Sequence, residues 1–318
     1  FIKRYGQKVN QTTWKVEPSI CMDINCLDAE AGELREPVFH QFRFDIDPPD
    51  CNQKTVKEGL AQFAKEVSLS RLEKELFPNV TKLDFLCYLR WIAPFILRGL
   101  KDRRLTVIRY PDGIHEHSFY QKHLPDYAPS YIQTIAGNDG EADILCQNLH
   151  SLMWFGNHGG LEFHVPFNTI KETNPIEIVF DLDPPSLDQF PYAVRAAKLI
   201  KKMMENQGFT PFVKTSGRTG LQIHIPVVNM TYNQTRTLME ATANVLVESD
   251  PEHFTIERLK KKRGNRLYID YVQHAPGKTI IAPYSTRATD EATVATPLFW
   301  YEVTDTLDLR KFTIHTVP

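Results

Sequence analysis

Apolar and polar positions change period along this chain. Over KLDFLCYLRWIAPFILRGL, 82–100, apolar residues recur every three to four positions, as on a helix with one buried face, and Thr81 stands ready as its N-cap. PYAVRAAKLIKKMMENQG, 191–208, is amphipathic at the same period and stops at Gly208. LHSLMWFGNHG, 149–159, and YNQTRTLMEATANVLVES, 232–249, also read as helices. Between them lie strand-like runs: LTVIRY, HSFYQKHLP, GLEFHVPF, EIVFDLDPP and NRLYIDYVQ. TPFVKTSGRTGLQIHIPV reads as strand, Gly-rich turn and strand. Crossover helices do not separate the strands regularly, so an α+β plan is expected rather than a doubly wound sheet.

The N-terminal stretch has another texture. WKVEPSICMDIN, the turn-like DAEAGEL and REPVFHQFRFD predict short strands and turns over 14–46. DPPDCNQ is a breaker cluster, and KTVKEGLAQFAKEVSLSRLEKELF is polar with sparse apolar residues. These features predict a first unit at 1–50, a linker with helical tendency at 51–78 and a second unit at 79–318.

At 318 residues, 42% hydrophobic and 24% charged, the composition is that of a globular protein of about two domains. The net charge of -2 excludes a globally basic polyanion binder, so any such role rests on local charge. Cys21, Cys26, Cys51, Cys87 and Cys146 form no CxxC pair, which argues for free thiols in a reducing cytosol rather than disulfides or zinc. No apolar run reaches the ~18 residues of a membrane span. Beginning at Phe1, the sequence reads as a piece of a longer protein.

The chemistry concentrates in a few places. In EIVFDLDPPS, Asp181 and Asp183 project from one strand face, and Pro184–Pro185 ends the strand just beyond them. Two adjacent carboxylates repel unless a cation lies between them, and a divalent metal with oxygen ligands is the usual solution. Asp270, after another apolar strand run, is the expected third ligand. Three carboxylates can hold two metals about 3.5–4 Å apart for in-line phosphoryl displacement. An acidic strand end capping a loop would carry the same DxD. RLKKKRGNR, 258–266, is the strongest basic cluster; it includes Arg263 and suits either phosphates or a solvated turn. In KTSGRTGLQIH, Ser216, Gly217 and Gly220 allow backbone N–H groups to approach an anion, although the pattern is not a P-loop. Gln222 and His224 share a strand face, and His164 is a lone strand histidine. Arg109, Phe119, Tyr120 and Lys122 interleave cations with aromatics, as suits stacking on bases beside a phosphate track or a hairpin with a buried aromatic pair.

Taken in order, TKLD, RRLTVIRYPDG, FYQK, NHGGLEFH, VFDLDPP, KTSGRTGLQIH and YIDYVQHAPGKTIIAPYSTRA resemble the polymerase domain of bacterial DNA ligase D over about residues 80 to 312. The resemblance implies an archaeo-eukaryotic primase-type core with an RRM-like mixed sheet and flanking helices. It implies template-dependent nucleotide addition at DNA ends and 5′-phosphorylated gaps in non-homologous end joining, with NTP or dNTP substrates and ribonucleotides favoured. It further implies two Mn²⁺ or Mg²⁺ ions, the end-binding protein Ku as partner, and a cytoplasmic, nucleoid-associated bacterial location with no membrane.

Carried over residue by residue, Asp181, Asp183 and Asp270 match the metal ligands. His164, Ser216 and Arg287 match residues that meet the incoming nucleotide, and Arg218, Thr219, Gln222, His224 and Gln273 join that set. Phe119 and Tyr120 match an aromatic pair on the template. Lys82, Arg109 and Lys122 match cations near the DNA 5′-phosphate, and Arg263 belongs with the DNA contacts. The chain departs from the family's SGxKGLH: Thr219 stands at the lysine and Gln222 at the histidine, with His224 on the same face as a substitute. The segment WKVEPSICMDINCLDAEAGELREPVFHQFRFD resembles the end of a ligase OB domain. Arg43 and Asp45 fit its closing motif and Ile46 replaces its lysine, which implies an ATP-dependent ligase module ahead of the polymerase. Two other functions fit parts of the pattern: a non-catalytic DNA-end bridging module, and a phosphohydrolase with Asp181 as nucleophile.

Overall fold

The computed structural model describes residues 6–9, 14–16, 21–25, 38–52, 54, 57–59, 67–137 and 140–317. The chain divides into two compact units, 1–63 and 64–318. In the first, Gly6–Lys8 pairs antiparallel with Trp14–Val16, and Cys21–Asn25 with Val38–Arg43. Arg43 holds the second hairpin together, reaching Asp23 at 3.2 Å and Asp45 at 2.7 Å. The expected DAEAGEL turn lies outside the described residues. Residues 54 and 57–59 are helical, and the rest of the polar stretch from 60 to 66 is likewise outside them.

The second unit includes part of the stretch expected to be a linker. Val67, Leu76 and Phe77 are buried, and the Asn157 side chain accepts from the Ser70 amide and donates to the Ser68 carbonyl, both at 3.1 Å. Apolar burial and buried backbone pairing draw these residues into the core although their neighbours in sequence are polar. Helix Lys82–Leu100 then starts at a capping box: Thr81 Oγ1 accepts the Asp84 amide, and the Asp84 carboxylate accepts the Thr81 amide. Leu83, Phe85, Leu86, Leu89, Ile92 and Ile96 form its buried face, as the apolar period requires.

Two sheets carry the remaining structure. The smaller has the strand order Thr279–Ile281, Gly160–Pro166, Thr106–Arg109, Phe119–Gln121, all antiparallel. The larger runs Phe254–Thr255, Leu267–Asp270, Glu177–Asp183, Leu221–Pro226, Phe212–Thr215, Pro297–Leu298. Its first pair is parallel and the others antiparallel. Helices Phe190–Asn206 and Tyr232–Ser249 pack on one face of this sheet. Ile178, Phe180, Leu182, Ile223, Ile225, Leu267 and Ile269 meet Ala193, Ala197, Ile200, Met239 and Ala243 there. Each such large side chain contributes about 1.5–3 kcal/mol by leaving water. Strand alternation then sends Asp181, Asp183 and Gln222 to the opposite face. The architecture is a mixed α/β fold of sheets with flanking helices, as the element pattern predicts.

Candidate active site

The site is built on a row across the larger sheet. Lys214 lies opposite Gln222, Gln222 opposite Asp181, and Asp181 opposite Asp270. Because the apolar neighbours Phe180 and Leu182 are committed to the helices, the register itself brings the two aspartate strands together on the polar face. Gln222 Nε2 donates to Asp181 Oδ1 at 3.1 Å, and Thr219 Oγ1 donates to Asp183 Oδ1 at 3.2 Å. Burial pushes the Asp181 carboxyl up to about 6; the Gln222 hydrogen bond opposes this, and the charges of Asp183 and Asp270 add to it. Burial likewise pushes Lys214 down to about 7, against the pull of Asp181.

Asp270 shares the row, but its Oδ1 accepts the amides of Val272 and Gln273, both at 2.9 Å. Among the described residues, no three His, Cys, Asp or Glu side chains converge closely enough to hold a metal ion. Asp181 and Asp183 offer the hard oxygen donors a divalent cation prefers; burial is the main cause of the upward push on Asp181, and the neighbouring carboxylates add repulsion that a cation would offset. Those two fit such an ion. Asp270 spends Oδ1 on its own turn, so a contribution from it to such an ion would come through Oδ2.

One cleft of about 540 Å³ gathers most of the predicted residues. His164, Asp181, Asp183, Ser216, Arg218, Thr219, Gln222, Arg263, Gln273 and Arg287 all line it. Lys260 and Arg266 of the basic run join them, so five cationic side chains surround two carboxylates in a protein of net charge -2. Arg263 is partly committed elsewhere: it donates to the carbonyls of Glu257 and Arg258, both at 2.8 Å, and lies 3.6 Å over the Tyr268 ring. Gln273 reaches the Thr279 carbonyl at 3.0 Å.

The Ser216–Gly220 turn differs from the expected anion cradle. The amides of Arg218 and Gly220 donate to Ser216 Oγ at 3.3 and 3.1 Å, so the turn binds its own backbone. Its glycines serve close packing. Gly217 has φ +73°, and a Cβ there would lie 2.5 Å from Arg287 Cγ; at Gly220 a Cβ would lie 2.1 Å from the Leu182 carbonyl oxygen.

His224 is the clearest departure. Its Nδ1 meets Glu177 Oε2 at 2.8 Å, and Glu177 also pairs with Arg103 at 2.5 Å. All three line a separate cleft. His224 and Gln222 do share a strand face, but the hydrogen bond to Glu177 holds His224 there, and Gln222 alone of the two reaches a carboxylate of the Asp181–Asp183 pair.

The residues expected at DNA sit on other elements. Tyr120 is 72% exposed and Phe119 37%; Lys122 is exposed. Arg109 is buried and donates to His158 O, Gln121 Oε1 and Tyr127 Oη at 2.9–3.1 Å, with its guanidinium 5.2 Å from the Phe119 ring centre. It is a brace rather than an open cation. Lys82 is buried, donates to the Asn157 carbonyl at 3.1 Å, and is pushed down to about 8 by burial, with Lys74 and Arg71 adding repulsion. Those two cations lie in the stretch read as a linker.

Two residues escaped the sequence reading. Lys214 precedes Ser216 by two positions, and Glu162 precedes His164 by two, so strand periodicity already placed each beside a candidate. Four cysteines, Cys21, Cys51, Cys87 and Cys146, are free thiols, and no described helix is long and apolar enough to cross a membrane.

Comparison with known proteins bears on the family and the fold. A family model described as LigD, primase-polymerase domain, matches residues 81–318. The chain is 42% identical over 320 residues to the bifunctional non-homologous end joining protein LigD of Bacillus subtilis (strain 168), a match covering 99% of this chain and 52% of that protein. It is 29% identical over 256 residues to the multifunctional non-homologous end joining protein LigD of Mycolicibacterium smegmatis, covering 78% of this chain and 34% of that protein. The chain thus spans about half the length of the first of these relatives and about a third of the second. A solved structure, the polymerase domain from Mycobacterium tuberculosis ligase D in complex with DNA, superposes with a TM-score of 0.71 at 28% identity, over 78% of this chain and 91% of that one. On the match over 81–318, this chain belongs to the LigD primase-polymerase domain family.

Proposed function

We propose that the second unit is a DNA repair polymerase. It adds nucleotides in a template-dependent way at DNA ends and 5′-phosphorylated gaps during non-homologous end joining, with ribonucleotides preferred. The observation that carries this is the cleft in which Asp181 and Asp183 face Arg218, Lys260, Arg263, Arg266 and Arg287. Such a site suits a triphosphate at one end and a reacting hydroxyl at the other.

Arg287 and Arg218 neutralise the charge that grows on the leaving pyrophosphate, and Lys260 and Arg266, which line the same cleft, add to the hold on the polyphosphate. Gln222 fixes the orientation of the Asp181 carboxylate, and Thr219 that of Asp183. Asp181 and Asp183, with Asp270 beside them on the row, would hold two divalent ions, Mn²⁺ or Mg²⁺, which would supply activation of the primer 3′-OH and neutralisation of the triphosphate. Exposed Phe119 and Tyr120 stack on the template, and the Lys82, Lys74 and Arg71 group takes the DNA 5′-phosphate. Burial is the main cause of the downward push on Lys82, and a phosphate would offset the repulsion that Lys74 and Arg71 add to it. In the parent protein the unit works with an ATP-dependent ligase module, for which 1–50 is the OB-domain tail, and with Ku, in the bacterial cytoplasm at the nucleoid.

The test is filling of a 5′-phosphorylated gapped duplex with NTPs or dNTPs and Mn²⁺ or Mg²⁺. Templated addition is expected from the wild type and not from Asp181→Ala/Asp183→Ala. Intact DNA binding with no addition by either protein would instead indicate an end-bridging module.

A further inference from the structure

Three groups on the wall of the cleft converge on one residue behind it. Glu162, on strand Gly160–Pro166, is wholly buried. Its Oε2 meets His164 Nε2 and Arg287 Nη1, both at 3.1 Å. Its Oε1 accepts from Arg218 Nη2 at 3.4 Å and from the Ala288 amide at 3.0 Å. No other carboxylate among the described residues joins three side chains of the cleft wall in this way.

The chemistry of this hub fixes a proton. Burial works to raise the Glu162 carboxyl, but the His164 hydrogen bond and the Arg287 charge outweigh it and hold the group at about 2. An ionised carboxylate only accepts, so the proton between the two residues is on His164 Nε2. Burial keeps His164 below its ordinary value, so at neutral pH the ring is uncharged and Nδ1 bears a lone pair. Nδ1 has no protein partner among the described residues, and the ring lines the cleft.

We propose that Glu162 is a positioning residue that locks the His164 ring with Nδ1 toward the cleft as a hydrogen-bond acceptor, so that His164 meets a sugar hydroxyl of the incoming nucleotide rather than its phosphates. A phosphate oxygen is itself an acceptor and would face a lone pair with a lone pair; a hydroxyl donates. The triphosphate then falls to Arg287 and Arg218, which Glu162 braces from behind. One carboxylate thereby serves two tasks, common binding of all triphosphates and discrimination of the sugar. The inference rests on the nucleotide reading of the cleft.

Long-range ¹H–¹⁵N NMR on the full chain reads the tautomer directly, with His164→Ala for assignment. The Nε2–H form is expected in the wild type at pH 7.5, and a mixture in Glu162→Gln, whose amide can both donate and accept. An Nδ1–H form or an imidazolium in the wild type overturns the proposal, whether or not the variants fold. Single-nucleotide incorporation provides the second measurement. Glu162→Gln should raise KM for NTPs and dNTPs alike, and should also lower the NTP/dNTP ratio of kcat/KM by about 5-fold, the size of one neutral hydrogen bond. His164→Ala should lower the ratio equally, and the double variant no further. Ratios that fall independently in the two variants would overturn it. If the wild type incorporates neither nucleotide, the polymerase reading falls and the tautomer measurement still decides the role of Glu162.

Discussion

Lys214 and Asp181 stand on one row of the larger sheet with Gln222 between them, and burial moves the two groups in opposite directions, Lys214 down to about 7 and Asp181 up to about 6. Between the unfolded value of Asp181 near 4 and its folded value near 6, the native state holds a proton that the unfolded state has released. Stability therefore falls as pH rises through that window. In metal-free protein, Asp181→Asn should remove this slope and exceed the wild type by about 1–3 kcal/mol above pH 6, with the two converging below pH 4. Urea unfolding in chelator from pH 4 to 8 is the measurement; parallel profiles would show that Asp181 is not strained.

The glycines of the Ser216–Gly220 turn should be far less replaceable than the one that ends a helix. Gly220→Ala drives a Cβ toward the Leu182 carbonyl and should cost about 3 kcal/mol or more. Gly208, with φ +83° but open space around it, should cost only about 1 kcal/mol as alanine. Comparison of denaturant midpoints decides, and equal losses would contradict the close approach.

His224 and Gln222 should separate in activity. Gln222→Ala removes the side chain that orients Asp181 and should slow incorporation by about tenfold or more, on the scale of a charge-assisted hydrogen bond. His224→Ala should leave the rate per folded molecule within about twofold, its cost appearing as lower stability through Glu177 and Arg103. A larger rate loss for His224→Ala would restore it as the substitute for the family histidine.

Tyr120 and Arg109 should also part company. Tyr120→Ala removes an exposed ring and should weaken template binding by about 1–3 kcal/mol without moving the unfolding midpoint. Arg109→Ala leaves Gln121, Tyr127 and the His158 carbonyl without their shared donor and should cost about 2–4 kcal/mol of stability. Fluorescence anisotropy on gapped DNA, paired with thermal melts, tells the two apart.

The elements of this fold were legible where period and punctuation agree. Thr81 caps its helix, Gly208 follows the end of another, and EIVFDLD and LYID are strands whose alternation puts carboxylates on one face. What the sequence could not show was partnership. His224 has the right period for the site, yet Glu177 and Arg103, the latter remote in sequence, hold it elsewhere. Asp270 has the right strand, yet its carboxylate caps the turn that follows. Glu162 sits in the middle of an apolar run, and nothing local reveals that Arg218 and Arg287 close on it. Lys74 and Arg71 lie in a polar stretch whose few apolar residues suffice to fold it into the second unit.

The parallel pairing of Phe254–Thr255 with Leu267–Asp270 has a mechanical consequence. Parallel neighbours need a crossover, and here the crossover is the basic segment 256–266. Both ends of that segment are stitched into the same sheet edge, one of them to the strand that ends at Asp270. Lys260, Arg263 and Arg266 are thus on a short leash, kept at high local concentration at the cleft however dilute the protein. A polyanion held by that segment would thus sit on chain that runs straight into the strand carrying Asp270.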